Sequence, residues 1–432
     1  MRVLAIDIGS SSVKAGVLQH AGPPKRIARV PFKTTLKGDR AECDAEDILR
    51  AVRDAIAQLD VRKVDVIAHD AMGPSWLAID ARGKALTKVV THQDRRSTRE
   101  AQRIEEAIGR KRHLSIVGAR PVPGGISSTT CLWHLQNAKP AMRKASLVGH
   151  LSTLLVNQLT GERVIDPSHA SFTGLYHTTK LAGWHDELID AVGVDRSLLP
   201  EVRESNEVAG TVTREAARRF GLQDGTPVLA GCLDGSAAMF ATGAATGQLL
   251  NSAGTTDILA LVIDKPRPDE SLLTRGLGVE KCWLAVATIS ASGAALEWLR
   301  KAMFSEMPAK AFHAMASKRK PVESGLSFDA SLAGSRTRVE PTTGSIAGLK
   351  LSTTREEILD ALLASLARAS AARIDTFARL GVPMKPRVIT TGGGDRLAAS
   401  LRREWPTRFK FESIDEAALR GLARLAETSQ TR

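Results

Sequence analysis

Six residues near the start of the chain have the types and spacing to hold a phosphate: Gly9, Ser10, Ser11, Ser12 and Lys14, with Asp7 just before them. A glycine turn followed by three hydroxyls offers backbone N–H groups, hydroxyl donors and one cation to an anion. Asp7 ends the apolar run Val3 to Ile6, where a carboxylate is costly unless it faces a polar cleft. An ordinary hairpin with a solvated Asp reads equally well from this stretch alone, because Gly-Ser turns are common. Further on the arrangement repeats: Leu249 to Ser252, the turn Gly254-Thr255-Thr256, then Ile258 to Ile263. Such a repeat indicates a duplicated domain. A third run, Arg387 to Thr391, empties into Gly392-Gly393-Gly394. A nucleotide touching several such turns at the carboxyl ends of strands accounts for all three. Asp234 is the other carboxylate in a telling place. It follows the short run Val228 to Gly231 and precedes Gly235 and a small-residue helix read over Ala237 to Ala245. There it can cap the helix or accept a proton from a bound hydroxyl.

The elements that must position these residues alternate between strand and helix, an α/β pattern. Ala45 to Leu59 has apolar residues at Ile48, Leu49, Val52, Ile56 and Leu59, the period of a helix. Val64 to Ala68 reads as a buried strand, and Trp76 to Ile79 pairs through the Asp80–Gly83 turn with Ala85 to Thr91. Helices follow over Gly124 to Asn137, Ala145 to Leu159 and Trp184 to Val192, with a turn-rich loop over Asp166 to Gly174. The long amphipathic helix is Thr354 to Leu380, and Asp415 to Glu427 closes the chain. No low-complexity linker divides it.

At 432 residues the chain holds about two or three domains. A net charge of +13 raises the question of nucleic acid or membrane partners, but the basic residues are dispersed. Runs such as Arg110–Arg112 and Lys318–Lys320 carry no aromatic interleaving and read as solvated faces, so neither nucleic acid nor membrane is expected. Cys43, Cys131, Cys232 and Cys282 show no metal spacing and are too few for a disulfide framework, which fits a reducing cytoplasm. His69, His92 and His134 have no metal-ligand pattern either. The apolar start is broken by Asp7, so no secretory signal is read, and no run reaches the roughly 18 apolar residues of a membrane span.

These motifs together resemble the FGGY carbohydrate kinases. Asp7-Ile-Gly-Ser-Ser-Ser-Val-Lys14 is similar to the family's first phosphate motif, and Ala253-Gly254-Thr255-Thr256 to its second. Leu77 to Ser97 and Leu159 to Gly174 resemble segments of its sugar domain, Leu233 to Ala238 its aspartate-glycine segment, and Gly392-Gly393-Gly394 its adenosine motif. Leu332 to Leu349 and Glu416 to Ala426 continue the likeness almost to the end of the chain. Departures stand at Gly73, where xylulose kinases carry a histidine, at Thr130 for a lysine, at Ser335 for a glutamate, and at Ala364 for an acidic residue. These touch the sugar half of the pattern rather than the ATP half.

The resemblance implies two actin-like, ribonuclease H-like α/β domains of the sugar kinase/heat-shock-protein-70/actin superfamily, with a cleft between them. Residues 1–243 would form the sugar-binding domain and 244–432 the nucleotide-binding domain. It implies ATP-dependent phosphorylation of a small sugar, a pentulose such as xylulose or ribulose being the first expectation. Heptuloses, glycerol and a non-catalytic sensor of the same fold are the alternatives. Asp234 becomes the general base. Asp7, with Asp234, would organise Mg²⁺ through water, since that ion sheds its hydration reluctantly. Gly9, Ser10, Ser11, Ser12, Lys14, Gly254, Thr255 and Thr256 would surround the phosphates, and Gly293, Gly393 and Gly394 the adenosine. Met72, Gly73 and Trp76 are sugar-contact candidates by position. A homodimer is compatible with the sequence and not specified by it.

Overall fold

The apolar run at the start of the chain forms a strand, Val3–Ile8, in which every residue is buried. The structure, a computed structural model, describes residues 1–61, 64–319, 325–392 and 399–429. It divides into two units: Met1–Ala244 with Asp264–Leu284 and Glu416–Arg432, and Ala245–Ile263 with Ala285–Asp415.

In the first unit Val3–Ile8 pairs antiparallel with Ser12–Leu18, with Asp7 opposite Lys14. On its other side it runs parallel to Val66–Ala71, with Asp7 opposite Asp70. The short strand Cys232–Leu233 pairs parallel with the end of Val66–Ala71. Central parallel strands are covered on both faces, which is why these segments read as unbroken apolar runs. Helix Ala45–Ala57 buries Ile48, Leu49, Val52 and Ile56, and the Asp44 carboxylate caps it by accepting from the Glu46 and Asp47 amides. A second sheet runs Thr34–Lys37, Arg40–Cys43, Val89–Thr91, Ser75–Ile79, Leu147–Gly149.

The expected boundary at 243/244 falls at the end of this unit's first segment, but the unit also takes back Asp264–Leu284 and the C-terminal residues. Packing explains the return. Helix Ala417–Ser429 lies on helix Asp234–Ala241 so closely that a Cβ at Gly421 would overlap the Ala237 carbonyl. The small residues Ala237, Ala238 and Ala241, unremarkable as core formers, permit that approach.

Three local expectations are corrected. The helix read over 145–159 is a strand, Leu147–Gly149, followed by helix Leu151–Thr160. The loop read over 166–174 is helix Pro167–Thr173, capped by Asp166, whose carboxylate accepts from the Ser168 and His169 amides. Asp-Pro at a helix start is the signal that was available. The helix read over 237–245 starts three residues earlier, at Asp234, and ends at Ala241, before Gly243 at φ 98°.

In the second unit Leu249–Ala253 pairs antiparallel with Asp257–Ile263 and parallel with Arg387–Thr391. Each unit therefore has a hairpin whose first strand is flanked by a parallel strand, so the repeat read in the sequence is a repeat of topology. Lys410–Ser413 extends the sheet beside Arg387–Thr391. Helix Arg355–Arg379 opens with a capping box between Thr354 and Glu357 and buries Leu359, Leu362, Leu366 and Phe377. Its Arg373 makes a buried ion pair with Asp257 at 2.9 Å, which ties the helix to the hairpin. Among the described residues no helix is long and apolar enough to cross a membrane.

Candidate active site

Three neighbouring strands of the first unit end in carboxylates. Parallel register sets Asp7 beside Asp70, and Asp70 beside Cys232, two residues before Asp234. Asp234 is the first residue of its helix, preceded by Leu233 as N-cap, and its Oδ1 accepts from the Gly235 amide at 2.6 Å. It is half-buried, whereas Asp70 is wholly buried and Asp7 is 7% exposed. Asp234 thus sits at the helix N-terminus, where the macrodipole favours a negative charge, rather than serving as its cap.

The electrostatics separate the three groups. Burial pushes the Asp70 carboxyl well above the usual carboxylate range, and the charges of Asp7 and Asp234 push it further. Burial also raises Asp7, but Lys14 opposes the rise, and so does a hydrogen bond from the Asp70 side chain. Of the two, Asp70 is raised the further. Their contact is loose: neither Asp70 oxygen reaches a partner at ordinary hydrogen-bond geometry. Lys14 Nζ lies 3.7 Å from Asp7 Oδ2 and 2.8 Å from Glu416 Oε2, so it neither faces solvent nor stands alone. Asp70 was not singled out from the sequence. The signal was its place in the strand beside the one that carries Asp7.

The first turn has the shape expected of it. Gly9 N–H donates to the Ser12 carbonyl at 3.1 Å, and Ser10 and Ser11 are exposed. In the second unit Gly254 N–H donates to the Thr256 carbonyl at 2.8 Å, and Gly254 and Thr255 are exposed. Gly293 joins this turn by donating to the Gly254 carbonyl at 3.1 Å. A Cβ on Gly293 would lie 2.5 Å from that carbonyl oxygen, so the approach needs glycine. Gly392, at φ 101°, packs against the Ala253 carbonyl in the same way. Gly393 and Gly394 lie outside the described residues.

The sugar-contact candidates fare differently. Met72 and Trp76 are 2% and 3% exposed: Met72 belongs to the core of the first unit, and Trp76 stacks on His134 with ring centroids 4.5 Å apart. Gly73 faces Leu233, whose side chain a Cβ there would overlap. Of the three, Gly73 is the one the structure sets against Leu233. A residue the sequence reading missed adjoins Gly235, next to Asp234. Arg275, on strand Leu273–Gly276, is 5% exposed and donates from Nη1 to Ser236 Oγ at 2.7 Å.

The donor set fits a hydrated Mg²⁺. Asp7 and Asp234 are neighbouring carboxyls that act on each other by charge, and Asp70 adjoins Asp7. Among the described residues no three acidic, histidine or cysteine side chains group tightly enough to hold an ion directly. One or two carboxylates plus water is how Mg²⁺ is usually held.

Carboxylates at strand ends and glycine–hydroxyl turns in two units of like topology define a phosphotransferase of the two-domain sugar kinase type, on the actin-like ATPase fold. The chain belongs to the FGGY family of carbohydrate kinases: residues 2–241 match the family's N-terminal domain and residues 249–401 its C-terminal domain. Among relatives, it is 26% identical over 381 residues to a gluconokinase of Bacillus subtilis, covering 84% of this chain and 74% of that one. It is 29% identical over 399 residues to a glycerol kinase of Thermococcus kodakarensis, covering 88% and 78%. Among solved structures, a xylulose kinase from Rhodospirillum rubrum aligns with a TM-score of 0.87 at 21% identity, covering 100% of this chain and 90% of that one.

Proposed function

We propose that the protein transfers the γ-phosphoryl group of ATP to a hydroxyl of a small sugar or sugar derivative, with Asp234 as general base. The observation that carries this is Asp234 itself, half-buried at a helix N-terminus beside the Asp7–Asp70 pair. The acceptor oxygen attacks the γ-phosphorus, the bond to the ADP oxygen breaks, and the hydroxyl proton passes to Asp234. Such transfer depends on positioning and charge neutralisation more than on covalent chemistry. Mg²⁺, held through water by Asp7 and Asp234, would neutralise phosphate charge when bound with ATP. Lys14 opposes the rise that burial gives the Asp7 carboxyl, which favours its charged form for that task. The exposed hydroxyls Ser10, Ser11 and Thr255, with Ser12 and Thr256, are suited to phosphate oxygens, and Gly9 and Gly254 to close backbone approach. A pentulose acceptor rests on sequence segments alone; the relatives named above act on different acceptors by their names.

Replacement of Asp234 tests the reading. Asp234→Asn is expected to lower kcat by about 10²-fold or more while sparing ATP affinity, as for a lost general base. A variant that turns over at the wild-type rate leaves Asp234 a structural residue.

A further inference from the structure

Helix Pro167–Thr173 is short, buried along its whole length and polar, and its side chains serve the neighbouring strands. They bond backbone groups that each belong to the last residue of a strand. Ser168 Oγ accepts from the amide of Leu233, which ends Cys232–Leu233, at 2.9 Å. His169 Nε2 lies 3.2 Å from the carbonyl of Ala71, which ends Val66–Ala71. Ser171 Oγ accepts from the amide of Gly276, which ends Leu273–Gly276, at 2.9 Å. Each of these strand ends adjoins an ionisable residue of the candidate site: Leu233 precedes Asp234, Ala71 follows Asp70, and Gly276 follows Arg275.

One carboxylate aims the first two of these contacts. Asp166 is wholly buried; its Oδ1 accepts from the Ser168 hydroxyl and from the Ser168 and His169 amides. Its Oδ2 lies 2.6 Å from His169 Nδ1. Burial raises the Asp166 carboxyl, but His169, by charge and hydrogen bond, and the Ser168 hydroxyl hold it below its ordinary value. A serine hydroxyl has one proton to donate. With that proton committed to Asp166, Ser168 meets the Leu233 amide as an acceptor. Leu233 is the N-cap of helix Asp234–Ala241 and makes no side-chain cap. Its own amide is held from outside, by Ser168. Burying Asp, Ser and His together is costly unless their polar atoms are satisfied, and here the satisfaction extends to the backbone beside Asp234.

We propose that Ser168, aimed by Asp166, is a positioning residue for Asp234: its bond to Leu233 sets where the Asp234 carboxylate meets the acceptor hydroxyl. The inference rests on the reading of Asp234 as general base and adds to it residues that act through the backbone. Misplacing a reacting group by roughly 1 Å can cost about 10²-fold in rate. Loss of this tether therefore shows in turnover and not in nucleotide binding.

The test compares Ser168→Ala with Thr173→Ala in the full-length protein. Thr173 is buried on the same helix, but its hydroxyl serves Ala170 and Leu175. ADP release is followed with MgATP and an acceptor panel of D-xylulose, D-ribulose, glycerol and D-gluconate, and amide hydrogen exchange is measured at Leu233. Ser168→Ala should lower kcat about tenfold, with the KM of ATP within about twofold, and should speed exchange at Leu233 about tenfold. Thr173→Ala should move none of these beyond about twofold. Added to Asp234→Asn, Ser168→Ala should lower the residual kcat by less than about twofold, because the base it positions is gone. Ser168→Cys keeps the size and weakens the acceptor; its kcat should fall between the two, and it is the variant to read if Ser168→Ala fails to fold. A wild-type kcat in the Ser168 variants, an equal loss in Thr173→Ala, or an undiminished loss in the Asp234→Asn background would overturn the proposal. If Asp234→Asn is itself slow, the general-base reading then still stands. Asp234→Asn at the wild-type rate would sink both. If no acceptor is turned over, exchange decides: unchanged protection at Leu233 in the Ser168 variants refutes the tether.

Discussion

Asp7 and Asp70 show how neighbours divide labour between like residues. Both carboxyls are buried at strand ends, and burial raises both, but Lys14, 3.7 Å from Asp7, opposes the rise there more than it does at Asp70. The sequence displayed Asp7 and Asp234 because each follows an apolar run and leads into a glycine, and Lys14 because it follows the Gly-Ser turn. It hid Asp70, because no glycine–hydroxyl turn follows Asp70, and only the parallel register brings it to Asp7. Arg275 was hidden for the same reason: it lies within a buried strand, and its nearness to Gly235 is tertiary. Met72 and Trp76, sugar-contact candidates by position, are buried in the structure. At this scale, Asp7→Ala and Thr255→Ala should each weaken MgATP binding by about tenfold, the worth of one charge-assisted contact, though they stand in different units. Nucleotide titration checks this, and a response from only one of them would break the reading of both turns as phosphate sites.

Elements whose cause is local were legible. The helix over 45–57 and the long helix over 355–379 have period and caps within their own segments, and both were read to within three residues. Helix Pro167–Thr173 was missed because it is short and polar and is held by one capping carboxylate. The contact between Ala417–Ser429 and Asp234–Ala241 had no local signal beyond small residues. It yields a contrast among glycines. Gly421→Ala must displace the Ala237 carbonyl, and a loss of about 2 kcal/mol is expected, lowering Tm by on the order of 5 °C. Gly293→Ala meets the Gly254 carbonyl at 2.5 Å and should destabilise the second unit's turn. Gly254→Ala meets nothing within 4 Å, so it should leave Tm unchanged and raise the KM of ATP instead. Thermal melts beside nucleotide kinetics separate these cases. A Gly254→Ala protein with normal KM for ATP would show that no phosphate approaches that backbone.

For the whole molecule, acid sensitivity follows from histidines buried in neutral form. Burial lowers His69, His113 and His134 to about 4 and His150 to about 3. The unfolded chain takes up protons near the ordinary histidine value of about 6.5, which the folded chain refuses. Their contribution to stability is therefore complete above pH 6.5 and is lost as pH falls toward 4, by up to about 1.4 kcal/mol per pH unit for each histidine. Melting curves should fall steeply over that window, and a Tm flat from pH 7 to about 4.5 would contradict the burial. The two-unit organisation was legible because the hairpin motif recurs in the sequence; the return of the closing helix to the first unit was not, because it depends on Gly421. The central claim is phosphoryl transfer from ATP to an acceptor hydroxyl with Asp234 taking the proton. Phosphorus NMR of the protein with MgATP and the acceptor panel tests it most directly. A phosphate-ester signal should rise in step with ADP, only when an acceptor is present, and at least about 10²-fold more slowly with Asp234→Asn. Release of inorganic phosphate without any ester, or ester formed at the same rate by Asp234→Asn, would contradict it.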